Sequence, residues 1–273
     1  MAAWSIPERA KSIGVFDSGI GGLTVVRSLM HALPNESITY FGDTARVPYG
    51  GKSNEVVKQY AREDANFLLE QGVKLIVVAC NTVSAVALDD LVPQIDVPMI
   101  GVIAPGAQAA LAQSTSRRIG VIGTLATIAS RAYIRALHGI DSSAIVSSKA
   151  CPLFVPLAEE GWGDHPVAEL TAKEYLTELR RDAIDTLILG CTHYPILRRV
   201  IQAAMGPEVV LIDSGEAAAT EARKLLQQKG LLNDSPDTPN YHFYVSDVPQ
   251  KFRELGEIFL GKRQLRVSKV QIH

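Results

Sequence analysis

A chain of 273 residues, 47% of them hydrophobic, is long enough for two domains and carries enough apolar side chains to bury sizeable cores. Its formal net charge of −2 leaves no basic footprint for nucleic acid or an anionic membrane surface, so a small molecule is the expected ligand. No run reaches the roughly 18 to 20 apolar residues that span a bilayer, and segment 1–10 carries Glu8 and Arg9 without the apolar stretch of a signal peptide. Three cysteines without an export signal make no disulfide framework, which predicts a cytoplasmic protein with free thiols.

In chain order, a strand over 12–16 ends in turn chemistry, Asp17-Ser18-Gly19-Ile20-Gly21-Gly22. Leu23, Val26, Leu29 and Met30 then follow at helical spacing. A second strand over 37–41 ends at Gly42-Asp43, and the loop 44–52 holds Pro48-Tyr49-Gly50-Gly51, which opposes regular structure. Ser53 caps a helix with Val57, Tyr60, Ala61, Ala65 and Leu68 on its apolar face, stopped by Gly72. The apolar run 75–79 reads as a parallel strand covered on both faces; it ends at Cys80-Asn81-Thr82 before a helix rich in Ala and Val. A short strand over 98–103 reaches Ala104-Pro105.

The pattern then restarts. A strand over 118–122 ends at Gly123-Thr124, a helix covers about 129–137, a strand covers 145–150 and a helix covers 168–181. A strand over 186–189 ends at Gly190-Cys191-Thr192-His193, and Pro195 opens the next helix at its favoured position. A strand over 209–212 and a helix over 215–228 follow, then a polar loop 232–240, a strand over 242–245 and a helix near 248–260. Lys262, Arg263, Arg266 and Lys269 read as a solvated basic face. Alternating strands and helices with apolar strands predict an α/β protein with parallel sheets.

The two parts of the chain resemble each other. Ile13-Gly14-Val15-Phe16-Asp17-Ser18 parallels Ile119-Gly120-Val121-Ile122-Gly123-Thr124, and the strand ending in Cys80-Asn81-Thr82 parallels the one ending in Cys191-Thr192. Apolar strands look alike by composition; a Cys-polar step at the same strand end in both halves does not arise that way. The repeat predicts two pseudo-symmetric domains whose carboxyl strand ends face a shared cleft, where ligands of open α/β sheets bind.

A cysteine at a strand end, just before a helix, lies near backbone N–H groups and a positive dipole that favour a thiolate. Two such thiols on opposite sides of one carbon can invert it, one removing a proton and the other delivering one. That chemistry calls for no redox or group-carrying cofactor and no metal. Cys80 and Cys191 are thus the candidate catalytic acid/base pair, with Asp17 able to lie beside Cys80 and His193 beside Cys191. Zinc at Cys191 and His193 has only two candidate ligands, a redox disulfide has no CxxC motif, and Gly19-Ile20-Gly21-Gly22 lacks a phosphate-loop or dinucleotide signature. Cys151, before Pro152 and an apolar run, reads as core packing.

At these residues the chain resembles glutamate racemases, cofactor-independent enzymes that make D-glutamate for bacterial peptidoglycan. The resemblance rests on Gly14 to Gly22, on Pro48-Tyr49-Gly50, on Ala79-Cys80-Asn81-Thr82-Val83-Ser84, on Gly190-Cys191-Thr192-His193-Tyr194-Pro195, and on Cys151 to Pro156 with Glu159-Glu160-Gly161. It implies that Cys80 acts on D-glutamate and Cys191 on L-glutamate. It implies further that Asp17, Ser18, Tyr49, Gly50, Asn81, Thr82, Thr192 and His193 hold the substrate, with Thr124 as a further contact. Asp43 and one of Glu159 or Glu160 would supply polar support. The implied layout is one domain of 1–103 plus 215–273, completed by the returning C-terminal segment, and a second of 104–214. A homodimer is expected, without nucleic-acid or membrane partners; some relatives inhibit DNA gyrase, and such a partner role could coexist. A racemase for aspartate or a hydantoin, a non-catalytic binding protein and a pyridoxal-dependent enzyme are the competing readings.

Overall fold

A computed structural model describes residues 7–235, 237–260 and 265–272. Ten strands, β1 (Ile13–Asp17), β2 (Ile38–Gly42), β3 (Leu75–Val78), β4 (Met99–Gly101), β5 (Arg118–Gly123), β6 (Ile145–Ala150), β7 (Thr186–Gly190), β8 (Val210–Asp213), β9 (Tyr241–Val245) and β10 (Val267–Lys269), form two sheets among the described residues. One runs β10-β9-β2-β1-β3-β4 and the other β6-β5-β7-β8. Every pairing in both is parallel.

The strand orders carry the internal repeat. In each half the first strand is central, the second lies on one side, the third on the other, and the fourth outside the third. β3 and β7 are therefore equivalent, and Cys80 and Cys191 follow equivalent strand ends. The strands β1, β3 and β7 are buried along their whole length, as expected of apolar strands covered on both faces. Edge strands read differently: β6 has no fully buried residue.

Each sheet is a layer between helices. Helix Leu23–Ala32 and helices Ser214–Gln228 and Pro249–Leu260 cover one face of the first sheet through Leu23, Val26, Ala222, Leu226 and Phe259. Helix Asn54–Glu70 covers the other through Val57, Ala61, Ala65 and Leu68. Ser53 caps that helix, its hydroxyl accepting from the Val56 N–H at 3.4 Å, and Gly72 beyond it has φ +71°, a left-handed value. The second sheet lies between helices Ile103–Gln113 and Ala132–Ile140 on one face and helices Phe154–Glu159, Pro166–Arg181 and Arg198–Met205 on the other. After β8 the chain returns, and β9 pairs with β2 to extend the first sheet.

Several elements depart from expectation. The predicted strand over 98–103 shortens to Met99–Gly101, and helix Ile103–Gln113, which the sequence reading does not include, begins at its end. Pro105 lies in the first helical turn, where its missing N–H would have no intrahelical partner, so it does not end structure there. The helix near 129–137 is two, Leu125–Ala129 and Ala132–Ile140, separated at Arg131, whose φ is 56°. Helix Asn81–Val86 breaks at Ala87 before the short helix Leu88–Leu91. Helix Phe154–Glu159 and strand β10 were not foreseen. Lys269 in β10 is exposed and paired with Asp247 at 2.6 Å, while Lys262 and Arg263 lie outside the described residues, as does segment 1–6.

At the amino ends of the strands, opposite the cysteines, a buried ion pair joins distant segments. Lys74 Nζ lies 2.6 Å from Glu36 Oε2, both side chains almost wholly buried. The ammonium also donates to the carbonyls of Arg9 (2.5 Å) and Leu231 (2.9 Å), and Glu36 accepts from the Asn233 N–H at 2.8 Å. Removing one member leaves the other charge buried without its partner. The variant Glu36→Ala is expected to lose about 3–5 kcal/mol of stability by urea unfolding, with activity per folded molecule unchanged because the pair lies at the far end of the strands.

Candidate active site

The first half reaches the site through the turn after β1. Asp17 Oδ2 accepts from the N–H groups of Gly19 (3.1 Å) and Gly22 (2.9 Å), and the Tyr40 hydroxyl donates to the Gly19 carbonyl at 2.5 Å. A Cβ on Gly22 would lie 2.5 Å from Asp17 Cβ and 2.7 Å from the Tyr40 oxygen, so only glycine fits. Asp17 is fully buried, and its Oδ1 has no hydrogen-bond partner among the described residues. Burial raises its pKa, opposed by His193 and by the N–H groups of Gly22, Gly19 and Ser18.

Cys80 is the N-cap of helix Asn81–Val86, its sulfur 3.8 Å from the Ser18 hydroxyl. At Cys80 desolvation opposes the thiolate that the helix terminus favours. Burial pushes the thiol up to about 12, Asp17 adds to the rise, and the Val83 N–H and Ser18 hydroxyl only partly oppose it. The helix terminus acts in the predicted direction, but desolvation outweighs it.

Cys191 follows β7 with its sulfur 3.8 Å from His193 Nδ1. The other ring nitrogen, Nε2, lies 3.0 Å from Glu159 Oε1. Burial opposes the imidazolium, yet Cys191 and Glu159 together push His193 up to about 10. Glu160 is exposed on the next turn, so the neighbour that reaches the site is Glu159. The Thr24 hydroxyl donates to the Thr192 carbonyl at 2.9 Å, and a Cβ on Gly21 would sit 2.5 Å from His193 Nδ1. The glycine turn of one half thus packs directly on the Cys–His turn of the other.

Both thiols open on one small cavity of about 50 Å³. Ser18, Tyr49, Gly50, Cys80, Asn81 and Thr82 line it from the first half, and Thr124, Glu159, Cys191, Thr192 and His193 from the second; Val47, Pro48 and Val155 complete the wall. An adjoining hollow of about 190 Å³ shares Val47 and Glu159 and runs along Phe252 and Leu255. Asp17, Asp43 and Glu160 are the predicted site residues missing from the wall. Asp17 stands behind it. Asp43 supports the loop: it accepts from the Tyr49 hydroxyl, from Arg46 Nε at 2.5 Å and from the Ser246 hydroxyl at 2.8 Å.

Asp64 and Arg46 were not foreseen. Asp64 Oδ2 lies 3.1 Å from the Tyr49 hydroxyl oxygen, and Oδ1 accepts from Arg46 at the same distance. Burial, and Asp43 beside it, hold the Asp64 carboxyl well above the usual carboxylate range. The signal was an acid at core spacing beside Ala61, Ala65 and Leu68 on helix Asn54–Glu70. Thr127, Tyr133 and Ser214 were also missed. Thr127 shares hydroxyl contacts with Thr124 (2.9 Å) and Thr82 (3.4 Å), and Thr82 meets Thr124 at 3.0 Å. Tyr133 and Ser214 contact Asn81. Among the described residues no three His, Cys, Asp or Glu side chains are grouped to hold a metal ion, and no helix is long and apolar enough to cross a membrane.

Two parallel sheets that share one strand order, each placing a thiol at the equivalent strand end, form a repeated α/β fold with one site between its halves. Residues 20–222 match the family described as Asp/Glu/hydantoin racemase, and the chain belongs to that family. It is 57% identical over 251 residues to a glutamate racemase of Chlorobaculum tepidum, covering 91% of this chain and 92% of the relative. A glutamate racemase of Geobacter metallireducens is 52% identical over 262 residues, covering 96% and 97%. Among solved structures, glutamate racemase from Francisella tularensis in complex with D-glutamate superposes with a TM-score of 0.90 at 44% identity, over 96% of this chain and 98% of that one.

Two outcomes follow from the electrostatics. In the substrate-free protein, alkylation of Cys80 by iodoacetamide should keep accelerating with pH to about pH 10 and beyond; levelling near the ordinary thiol pKa of about 8.5 contradicts the burial effect. Peptide mapping by mass spectrometry reads the rate. Because His193 lies at about 10 in the folded chain against an ordinary 6.5, its ion pair stabilises the fold fully below about 6.5 and loses that contribution as pH rises through about 10. Glu159→Gln should therefore lower the imidazole pKa measured by NMR and destabilise the fold most at neutral pH and below, whereas Glu160→Gln should do neither.

Proposed function

We propose that this chain is a cofactor-independent glutamate racemase that interconverts L- and D-glutamate and supplies D-glutamate for peptidoglycan synthesis. The observation that carries the reading is the pair of thiols at the ends of β3 and β7, opening on one cavity. The high identity to enzymes named glutamate racemase supports the choice of substrate over aspartate or a hydantoin.

In the proposed reaction one sulfur, as thiolate, takes the proton from Cα while the other, as thiol, delivers a proton to the opposite face. No group other than the proton is transferred. Cys191 acts on L-glutamate. Burial favours the protonated form of Cys80, which suits it to deliver the proton in that direction. In the reverse direction Cys80 must first lose its proton. The substrate's ammonium group favours that loss by its charge, and Asp17, with its unpartnered Oδ1 and raised pKa, is the acceptor assigned to it. His193, held by Glu159, keeps a proton available beside Cys191. The N–H and hydroxyl groups of Ser18, Gly50, Thr82, Thr124 and Thr192 are assigned to the two carboxylates, and the Tyr49 ring to the wall of the cavity. Asp43 holds the loop that carries Tyr49 and Gly50.

The same reading divides the chain into 1–103 plus 215–273 and 104–214. It takes the enzyme to be a cytoplasmic homodimer whose thiols stay reduced.

Solvent-deuterium incorporation at Cα, started from each enantiomer, tests the mechanism. Cys80→Ser and Cys191→Ser should each lower racemisation by about 10²-fold or more, and residual exchange should favour opposite enantiomers in the two variants. Full racemase activity in either one overturns the two-thiol reading.

A further inference from the structure

Asn81, the residue after Cys80, lines the cavity, but its amide is held from the other half of the molecule. Tyr133, on helix Ala132–Ile140, donates its hydroxyl to Asn81 Oδ1 at 2.7 Å. Asn81 Nδ2 donates to the Ser214 hydroxyl at 3.4 Å, and Ser214 donates to the Leu189 carbonyl at 3.2 Å. All four residues are buried, and neither Tyr133 nor Ser214 belongs to the cavity wall.

The direction of this relay is set by its last member. A backbone carbonyl only accepts, so Ser214 spends its one proton on Leu189 and must accept from Asn81. The nitrogen end of the Asn81 amide therefore faces Ser214, and its oxygen end faces the Tyr133 proton. A flipped amide would set its oxygen against a Ser214 oxygen whose proton is already used. With one Nδ2 hydrogen committed to Ser214, the other is left for the cavity that Asn81 lines. The relay also spans the two catalytic strand ends: it starts beside Cys80 and ends on Leu189, two residues before Cys191. Tyr133 in turn packs against the residue preceding Cys191, where a Cβ on Gly190 would come within 3.1 Å of its ring.

We propose that Tyr133 and Ser214 are positioning residues for racemisation, fixing the Asn81 amide so that its free N–H faces the substrate carboxylate beside Cys80. The inference rests on the racemase reading. Loss of the Cα proton pushes negative charge onto that carboxylate, and a donor already aimed at it stabilises the charge without reorganising. Such a donor contributes in the transition state more than in the ground state, so its loss falls on kcat.

The test is a double-mutant cycle on the intact protein, with kcat and KM measured from both enantiomers. Tyr133→Phe keeps the ring and removes the proton. It should lower kcat about 10-fold to 100-fold while KM stays within about threefold. In an Asn81→Ala background the same substitution should change kcat by less than about twofold, because the amide it orients is gone. A merely structural role instead gives losses that multiply. Ser214→Ala should behave alike in both backgrounds and carries the test if circular dichroism shows Tyr133→Phe unfolded. Unchanged kcat in the folded single variants, or multiplicative losses, overturn the positioning role. An intact protein that is inactive on both glutamate enantiomers overturns the racemase reading instead.

Discussion

Closing two parallel sheets over one small cavity takes water away from every polar group at their strand ends, and desolvation is what the arrangement around the cysteines answers. It lifts the Cys80 thiol to about 12 and raises the pKa of Asp17. It would also neutralise His193, were the ring not held between Cys191 and Glu159. Buried polar groups are tolerable only when paired. The cleft accordingly surrounds itself with partners: Gly19 and Gly22 N–H groups on Asp17, Asp43 and Asp64 on Tyr49, and Tyr133 and Ser214 on Asn81. The exception is Asp17 Oδ1. An acceptor left open beside a protonated thiol is a costly feature for a merely structural carboxylate, and it fits the proton-accepting role proposed for it.

Symmetry of the backbone and asymmetry of the helpers coexist. The strand orders β2-β1-β3-β4 and β6-β5-β7-β8 match position for position, and the thiols occupy equivalent ends. Around that frame the side chains diverge. The first half has an acid at the end of β1 where the second has Gly123 at the end of β5, and the second half has His193 and Glu159 with no counterpart beside Cys80. A carbon between two bases needs the bases to be opposed, which the repeat supplies. Its substituents must still bind in both mirror forms, and identical helpers on both sides would not serve that end.

At the site the halves are joined by short, directional contacts. Thr24 to Thr192, Thr82 to Thr124 and Tyr133 to Asn81 each link one half to the other. Hydrogen bonds of this kind add little net stability each, but a mispaired buried group is expensive. They therefore set the relative placement of the two strand ends sharply while leaving stability to the cores and to features such as the Lys74–Glu36 pair at the far edge.

Much of this layout is written locally. The runs at 12–16, 75–79 and 186–189 announce strands, Ser53 and Gly72 mark the ends of a helix, and the repeated Cys-polar step points to the cleft. Those signals lie within a few residues of each other and depend on periodicity and turn chemistry. Helix Ile103–Gln113 carries Pro105 in its first turn, and an Ala-rich stretch with a proline near its start gives no clear helical stripe to read. Between Glu159 and Glu160 the chain offers the same chemistry twice, and helix Phe154–Glu159 decides by aiming one at His193. The partners of Asn81 and Tyr49 lie far away in the chain and carry no local mark. Nor does the thiol pKa follow from its position at a helix start. Burial is a property of the assembled cleft, and at Cys80 burial outweighs the helix terminus that the chain encodes beside it.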